Sequence, residues 1–164
     1  MQQLLLHICF SVDVLGKRKM RVLIQRVSEA SVSVNNQVVG KINKGFLVFI
    51  GIQKGDTKEQ TSYLANKVSR LRIFEDVQGK MNLALTDVGG EILVISQFTL
   101  AGDMSRGNRP GFETAARPEE AKPLYEHFVA CLQQAGHHVE TGIFQADMKV
   151  SLINDGPSTF ILEK

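Results

Sequence analysis

Two long apolar runs restrict the fold more than any other feature of the chain. They are FLVFIGI at residues 46–52 and EILVISQF at residues 91–98. A strand with one face in water alternates apolar and polar residues, whereas a continuously apolar run suits a strand covered on both faces. The chain has 164 residues and a hydrophobic share of 43%, which favours one domain with a substantial core. These runs therefore predict two central strands inside that domain.

Alternating or β-rich patterns predict further strands on both sides of these runs. RVLIQRV (21–27) and ASVSV (30–34) come first, and Asn35–Asn36 supplies a tight hairpin turn from which QVVGKI (37–42) returns. Three more strands are expected to close the chain: HVETGIF, MKVSLIN and STFILEK.

A helical period of apolar residues occurs in two places. The first predicts a helix over residues 57–71, opened by a capping-box-like pair of Asp56 and Glu59. The second predicts a helix over residues 118–135, which Gly136 would terminate and in which Pro123 would cause a kink or a late start. The buried stripe of this second helix is expected to be Leu124, Phe128, Leu132 and Ala135. The order of elements predicts a mixed α/β domain rather than a regular doubly wound one.

Composition and the first residues limit the classes of function. The net charge of +2 is too small to indicate nucleic-acid binding, although it is compatible with it. The two cysteines, Cys9 and Cys131, do not suggest a structural disulfide, so a reducing, cytoplasmic compartment is expected. Residues 1–19 are interpreted as an N-terminal extension outside a domain that spans 20–164, with an added strand or short helix as the alternative. No segment is expected to cross a membrane.

Familiar catalytic motifs are absent from the sequence. It contains no G-x-S-x-G, H-E-x-x-H or P-loop pattern. No cluster of Cys or carboxylate residues stands at ligand spacing from His127, His137 and His138, so helix-terminus electrostatics are the expected role of the last two, and neither a metal nor a cofactor is expected. An enzyme with this sequence would therefore rely on backbone donors and on groups of its own substrate.

The segment SQFTL, residues 96–100, places polar side chains where the second apolar run ends. One interpretation of Ser96, Gln97 and Thr99 is that hydroxyl groups simply cap the strand end. In the other, backbone N–H groups at this strand end hold an oxyanion beside the Thr99 hydroxyl, because α/β proteins place their sites at strand ends.

The segment NDGPST, residues 154–159, predicts a turn at the tip of a hairpin between the last two expected strands. Its Gly156–Pro157 bond has two interpretations. A trans proline would make an ordinary turn, whereas a cis bond would point both neighbouring carbonyls the same way on a tip with few side-chain atoms. Such a tip could hold an ammonium group and leave no room beside the Cα atom that it faces.

With these segments in place, the sequence resembles the D-aminoacyl-tRNA deacylases, the D-tyrosyl-tRNA deacylase family. The resemblance runs from MRVLIQRVSEASVSV at residue 20 to ILEK at residue 164, and it includes GFLVFIGIQKGD, KVSRLRIFEDVQGKMN, SQFTL, RGNRPGF and MKVSLINDGPST. It implies a single α/β domain with mixed sheets in β/β/α layers, barrel-like, with two main helices. It also implies a homodimer, with active sites at the interface, that acts on D-aminoacyl-tRNA.

The resemblance also implies roles for particular residues. Gly156–Pro157 would be cis, would enter the partner's site and would grip the substrate's amino group while excluding an L side chain. Arg26 would steady this turn from beneath, whereas Met148 would line the pocket or simply fill core space. The catalytic pocket would be formed by Ser96, Gln97, Phe98 and Thr99, and the substrate would be bound by Gly156, Pro157, Asn154, Met148 and Arg26.

The implied reaction is hydrolysis of the ester between a D-amino acid and the terminal adenosine of tRNA. The 2′-hydroxyl of that adenosine would assist, with the Thr99 hydroxyl as the alternative catalytic group. Glycine has no side chain to exclude, so glycyl-tRNA is also an expected substrate. Arg106 and Arg109 belong to a long loop over 101–118; they would meet tRNA phosphate, or the loop would be solvated with Arg109 bonded to nearby carbonyls. Ser158 departs from the family pattern, in which an aliphatic residue is common.

Two rival functions from other classes stay open at this point. One is a non-catalytic domain that binds aminoacyl-tRNA or assists editing, which would bind without turnover. The other is an esterase or peptidase for small D-amino-acid derivatives, which would not need the terminal ribose.

Overall fold

The structure, a computed structural model, describes residues 19–164. The expected N-terminal extension lies outside this range apart from Lys19, so the division at residue 20 stays a prediction. Two 3₁₀ helices occupy Thr86–Val88 and Phe98–Ala101. The strands and α-helices of the described range are β1 (Arg21–Val34), β2 (Gln37–Ile42), β3 (Gly45–Gly51), α1 (Lys58–Ser69), β4 (Phe74–Glu75), β5 (Met81–Leu83), β6 (Glu91–Ser96), α2 (Pro118–Gln134), β7 (Val139–Thr141) and β8 (Lys149–Glu163).

Six of these strands form one mixed sheet in the order β2-β1-β3-β6-β7, with β8 paired to β1 outside this path. The β3–β6 and β6–β7 pairs are parallel, and β1 is antiparallel to β2, β3 and β8. The two long apolar runs are the adjacent strands β3 and β6. These two strands lie at the centre of the domain, because parallel strands are found almost only where other layers cover both faces of the sheet. The strands β4 and β5 form a separate small hairpin that the sequence patterns did not indicate.

Alternate residues of β3 face two different cores. Phe46, Val48 and Ile50 belong to a large cluster that also contains Leu64 of α1 and Phe128 of α2. The intervening face of β3 belongs to a second cluster, in which Val27, Ala30, Val32, Ile42, Leu47, Leu93 and Ile95 are buried. The domain therefore has a helical layer, a central strand layer and an outer strand layer. The predicted α/β fold with β/β/α layers is confirmed.

Strand β1 passes from the central layer into the outer layer. Its first half, residues 21–27, pairs with β3, and its second half, residues 30–34, pairs with β2. The patterns at 21–27 and 30–34 are thus one bent strand rather than two. The turn between β1 and β2 has Asn35 and Asn36 at φ 50° and 63°, as expected for a tight hairpin.

The helix boundaries agree with the predicted ranges to within two residues, but the predicted cap of α1 and one predicted buried residue at the end of α2 were wrong. The capping box of α1 joins Thr57 and Gln60, whereas the carboxylate of Asp56 instead accepts from the N–H of Gln53 at 2.7 Å. In α2, which begins at Pro118 without a late start, Tyr125 is buried and Ala135 is exposed.

The expected hairpin at the end of the chain is wrong. The segments MKVSLIN and STFILEK belong to one strand, β8, and both pair antiparallel with β1. A hairpin requires the chain to reverse direction, whereas here it continues along the same neighbour. The segment NDGPST is consequently an interruption inside a long strand. Among residues 19–164 no helix is long and apolar enough to span a bilayer.

Candidate active site

The polar residues 96–99 lie where β6 ends beside β3. Ser96 pairs with Ile50, and the N–H of Gln97 donates to the carbonyl of Ile50 at 2.8 Å. The chain then turns into the 3₁₀ helix Phe98–Ala101, and the side-chain amide of Gln97 donates to the Thr99 hydroxyl. Residues 96–99 are therefore gathered at one strand end, and both Phe98 and Thr99 are exposed.

Two backbone N–H groups at this strand end have no acceptor within residues 19–164. They belong to Phe98 and Thr99, the first residues of the 3₁₀ helix, where a helix has no internal partner for them. Neither Ser96 nor Thr99 uses its hydroxyl to cap the backbone, since the bond from Gln97 is the one side-chain hydrogen bond that the described residues give either hydroxyl. The interpretation as simple hydroxyl capping is therefore not supported.

An aromatic pair flanks this strand end. The rings of Phe98 and Phe112 meet edge to face with centroids 5.2 Å apart, and Phe98 is 57% exposed. The loop that brings Phe112 here is closed by paired backbone bonds between Asp103 and Gly111, at 2.9 and 2.8 Å. Arg106 and Arg109 of that loop are both exposed.

The second candidate segment forms a bulge between β1 and β8. Gln25 pairs with Thr159 and Val27 with Asn154, so residues 155–158 of β8 stand opposite Arg26 alone. The Gly156–Pro157 bond within this bulge is cis. The bulge, defined as residues 155–158, places a glycine and a proline at the edge of the sheet, where few side-chain atoms surround the main chain.

Arg26 lies under the bulge and is only 4% exposed. Its Nε donates to the carbonyl of Asp155 at 2.9 Å, and its Nη1 donates to the carbonyl of Ile73 at 2.6 Å. The carboxylates of Asp155 and Glu75 lie 3.2 and 3.8 Å from the guanidinium, and the ring of Phe74 lies 6.0 Å from Cζ. Arg26 thus ties the bulge to the segment that carries β4.

Asn154 stands at the entrance of the bulge and turns its side chain inward. Its Nδ2 donates to the carbonyl of Arg26 at 3.0 Å and to the carbonyl of Ser158 at 3.1 Å. The hydroxyl of Ser158 is buried, with no partner among the described residues. Sequence patterns alone did not indicate these contacts, because they depend on how β8 is aligned with β1.

Met148 lies on a different face from Arg26. It is half-buried and packs with Val150 against the second core cluster, beside Gly142. Its surroundings agree with the interpretation as core filling.

The two candidate segments are not brought together within one protomer. Strands β1 and β3 separate β8 from β6, which is about 14 Å at the usual strand spacing. Along the strands, Arg26 pairs with Phe46 at one end of β3 and Ser96 pairs with Ile50 near the other end. Within residues 19–164, the two segments therefore do not form one continuous site.

The buried phenol of Tyr125 lies behind the strand end. The Tyr125 hydroxyl donates to the carbonyl of Val94 in β6 at 3.0 Å, and burial raises the pKa of Tyr125 to about 12. The hydrogen bond from this phenol holds α2 against β6. Among residues 19–164, no group of three His, Cys, Asp or Glu side chains is placed to hold a metal.

Comparison with known proteins connects these features to a family. The family model described as D-Tyr-tRNA(Tyr) deacylase matches residues 23–163. A D-aminoacyl-tRNA deacylase from Geotalea uraniireducens (strain Rf4) is 59% identical over 144 residues, which cover 88% of this chain and 93% of that protein. Another from Thermus aquaticus is 55% identical over 144 residues, covering 88% and 95%.

Solved structures agree on the fold. The structure titled c-Myc DNA Unwinding Element Binding Protein superposes with a TM-score of 0.82 at 36% identity, covering 88% of this chain and 98% of that one. The family model and these relatives show a hydrolytic enzyme of the deacylase class, as predicted. More particularly, the chain belongs to the D-Tyr-tRNA(Tyr) deacylase family.

Proposed function

We propose that the protein removes D-amino acids from tRNA by hydrolysing the ester to the terminal adenosine, and that it acts in the cytoplasm. The observation that carries this proposal is the strand end at residues 96–99, where two N–H groups beside the Thr99 hydroxyl have no acceptor among residues 19–164. Relatives at 55–59% identity that are named D-aminoacyl-tRNA deacylase support the substrate class.

The N–H groups of Phe98 and Thr99 would stabilise the oxyanion that forms when water attacks the ester carbonyl. Paired backbone donors aimed at developing negative charge are a general means of acyl-transfer catalysis. The tetrahedral intermediate then expels the 3′-oxygen of the ribose, which releases the D-amino acid and tRNA. Ser96 and Gln97 would complete the walls of this pocket.

The arrangement around Thr99 favours a donor role over a nucleophilic one. Its oxygen already accepts a hydrogen bond from the Gln97 amide, and that amide cannot remove a proton. A nucleophilic hydroxyl requires an adjacent base. The 2′-hydroxyl of the substrate is therefore the proposed group that assists the water, and the Thr99 hydroxyl proton is free to contact the substrate.

The working form would be a homodimer, in which Gly156 and Pro157 of one protomer reach the strand end of the other. This assembly is supported by the separation of the two segments within one chain. It is also supported by β8, a strand of 15 residues whose outer edge is unpaired within the described range and whose Ile153 is 56% exposed. Long edge strands with exposed apolar residues readily pair with another chain.

Chiral selection is assigned to the Gly156–cis-Pro157 motif. Its carbonyls would grip the α-ammonium group, and its main chain would occupy the space of an L side chain. A pocket that recognises apolar bulk gains only about 1–3 kcal/mol per methylene, whereas a steric wall excludes one face of Cα whatever the side chain is. Glycyl-tRNA should therefore be accepted. Arg26 would support the wall, Asn154 would hold the shape of the bulge that carries it, and Met148 would line the pocket.

The proposal is tested by following deacylation of D-Tyr-tRNA and L-Tyr-tRNA with the wild-type protein. Loss of the D-form alone is expected; equal loss of both forms, or loss of neither, refutes the proposal. Binding without turnover would identify a tRNA-binding domain, and equal cleavage of free D-tyrosine esters would identify a general esterase. A substrate ending in 2′-deoxyadenosine should react far more slowly, and an unchanged rate would exclude the role of the 2′-hydroxyl.

A further inference from the structure

We infer that Asn154 is a positioning residue that closes the bulge at residues 155–158 and thereby sets chiral selectivity, rather than a residue that contacts the substrate. This inference rests on the proposed function for its effect on selectivity, whereas the closure of the bulge can be measured independently.

Both N–H groups of the Asn154 side chain are already used within the protein, so only its Oδ1 atom, which faces Gly156, is left to accept a hydrogen bond. A primary amide carries two N–H donors, and those of Asn154 reach the carbonyl of Arg26 on β1 and the carbonyl of Ser158 at the far end of the bulge. The amide therefore joins both ends of the bulge to the strand beside it. The flanking pairs Gln25–Thr159 and Val27–Asn154 fix the two ends of the bulge, but no strand pairing spans the four residues between them.

The Asn154 carbonyl explains the glycine at position 156. A Cβ atom on Gly156 would lie 2.7 Å from Oδ1 of Asn154, and its next neighbour, the Ser158 nitrogen, is at an ordinary 3.5 Å. Gly156 does not have a left-handed φ, so the backbone itself would tolerate a side chain there. The obstacle to a side chain is the Asn154 amide, which cannot swing aside without losing both of its hydrogen bonds.

This geometry predicts that positions 154 and 156 are energetically coupled. In Gly156→Ala, the new methyl group should displace the amide, open the bulge and redirect the carbonyls of the tip. In Asn154→Ala the amide is already absent, so adding Gly156→Ala should change little further. Residues in direct contact commonly show non-additivity of this kind, whereas independent sites do not.

The experiment compares kcat/KM for D-Tyr-tRNA and L-Tyr-tRNA in the full-length protein. The variants are Asn154→Asp, which keeps the shape and removes both donors, Asn154→Ala, Gly156→Ala and the double variant. Ser158→Ala is the matched control, because it alters the same bulge at a hydroxyl that has no partner in the described part of the chain, and it leaves the backbone acceptor in place. Thermal unfolding of each variant identifies any loss of the folded state.

We expect the ratio of D to L activity to fall about tenfold or more in Asn154→Asp and to be unchanged in Ser158→Ala. Gly156→Ala should lower the ratio of D to L activity by a factor that is at least about tenfold larger in the wild-type background than in the Asn154→Ala background. An unchanged ratio with a raised KM for the D-substrate would instead make Asn154 a substrate contact and overturn the inference. Equal losses on both substrates, or additive effects at 154 and 156, would overturn it as well.

Hydrogen exchange separates this inference from the proposed function. The amides of Asp155, Gly156 and Ser158 should exchange faster in Asn154→Asp than in Ser158→Ala, even if the wild-type protein shows no D-specific hydrolysis. The absence of such hydrolysis would refute the proposed function alone. Equal exchange rates in the two variants would refute the closure of the bulge by Asn154.

Discussion

Replacing Arg26 with methionine removes the guanidinium under the bulge and keeps an unbranched apolar stem in its place. The substitution leaves the carbonyls of Ile73 and Asp155 without their donors. Hydrogen bonds to a charged group contribute about 1.5–3 kcal/mol each. Part of that loss is offset because a buried charge no longer needs to be desolvated, and because Asp155 and Glu75 are half-exposed and can be solvated. We expect the free energy of unfolding to fall by about 3 kcal/mol.

The assay is equilibrium unfolding in urea at a fixed protomer concentration, since association would otherwise alter the apparent stability. A loss of this size lowers the urea midpoint by about 1–2 M. Arg26→Lys should recover part of the loss, because one ammonium group cannot reproduce donors directed at two separate carbonyls.

Arg21 provides the matched control on the same strand. It also bonds a carboxylate and a carbonyl, those of Glu163 and Leu100, each at 2.8 Å, but its side chain is 42% exposed. Exposed ion pairs contribute about 0–1 kcal/mol, so Arg21→Met should cost less than about 1 kcal/mol. Equal losses for Arg21→Met and Arg26→Met would refute the reasoning, because burial would then not determine the contribution of the guanidinium.

Three further predictions concern stability. Ser158→Ala should raise the free energy of unfolding by about 1 kcal/mol, because it removes a buried hydroxyl that has no partner among residues 19–164. A urea titration measures this change, and a lower free energy of unfolding would contradict the prediction. Gly45→Ala should lower it by about 3 kcal/mol or prevent folding, because a Cβ there would overlap the main chain of Glu91, and wild-type stability would disprove the close approach. Burial lowers the pKa of His137 from its ordinary 6.5, so its contribution is present above pH 6.5 and is lost as the pH falls through the folded pKa. His137→Gln should therefore flatten the decline of stability below pH 6.5, and a profile parallel to the wild type would exclude this cause.

Local patterns were sufficient for most of the secondary structure. The continuous apolar runs predicted β3 and β6 as strands covered on both faces, and the helical periods predicted α1 and α2. These predictions succeeded because burial determines directly where apolar residues occur along a strand or a helix. The same kind of argument failed at the cap of α1, where Asp56 and Thr57 are both good capping residues and only the structure distinguishes them.

Patterns failed more seriously at NDGPST because strand pairing is not local. A Gly-Pro pair between two strand-like segments is compatible both with a hairpin turn between two strands and with a bulge inside one strand. Only the alignment of β8 with β1 distinguishes them, and that alignment also creates the contacts of Asn154 and Arg26. The residues of both candidate segments could be identified from local patterns, whereas their separation within one chain was implied only by the family resemblance.

The bend of β1 has a consequence for how the molecule loses its structure. Both β1 and its neighbour β8 contribute side chains to the helix-facing core and to the outer core, so one continuous backbone is shared by the two clusters. Neither core cluster can unfold completely while the strands that it shares with the other cluster remain folded. Denaturation of this domain should therefore be a single cooperative event, without a half-molten species in which the helices alone have detached.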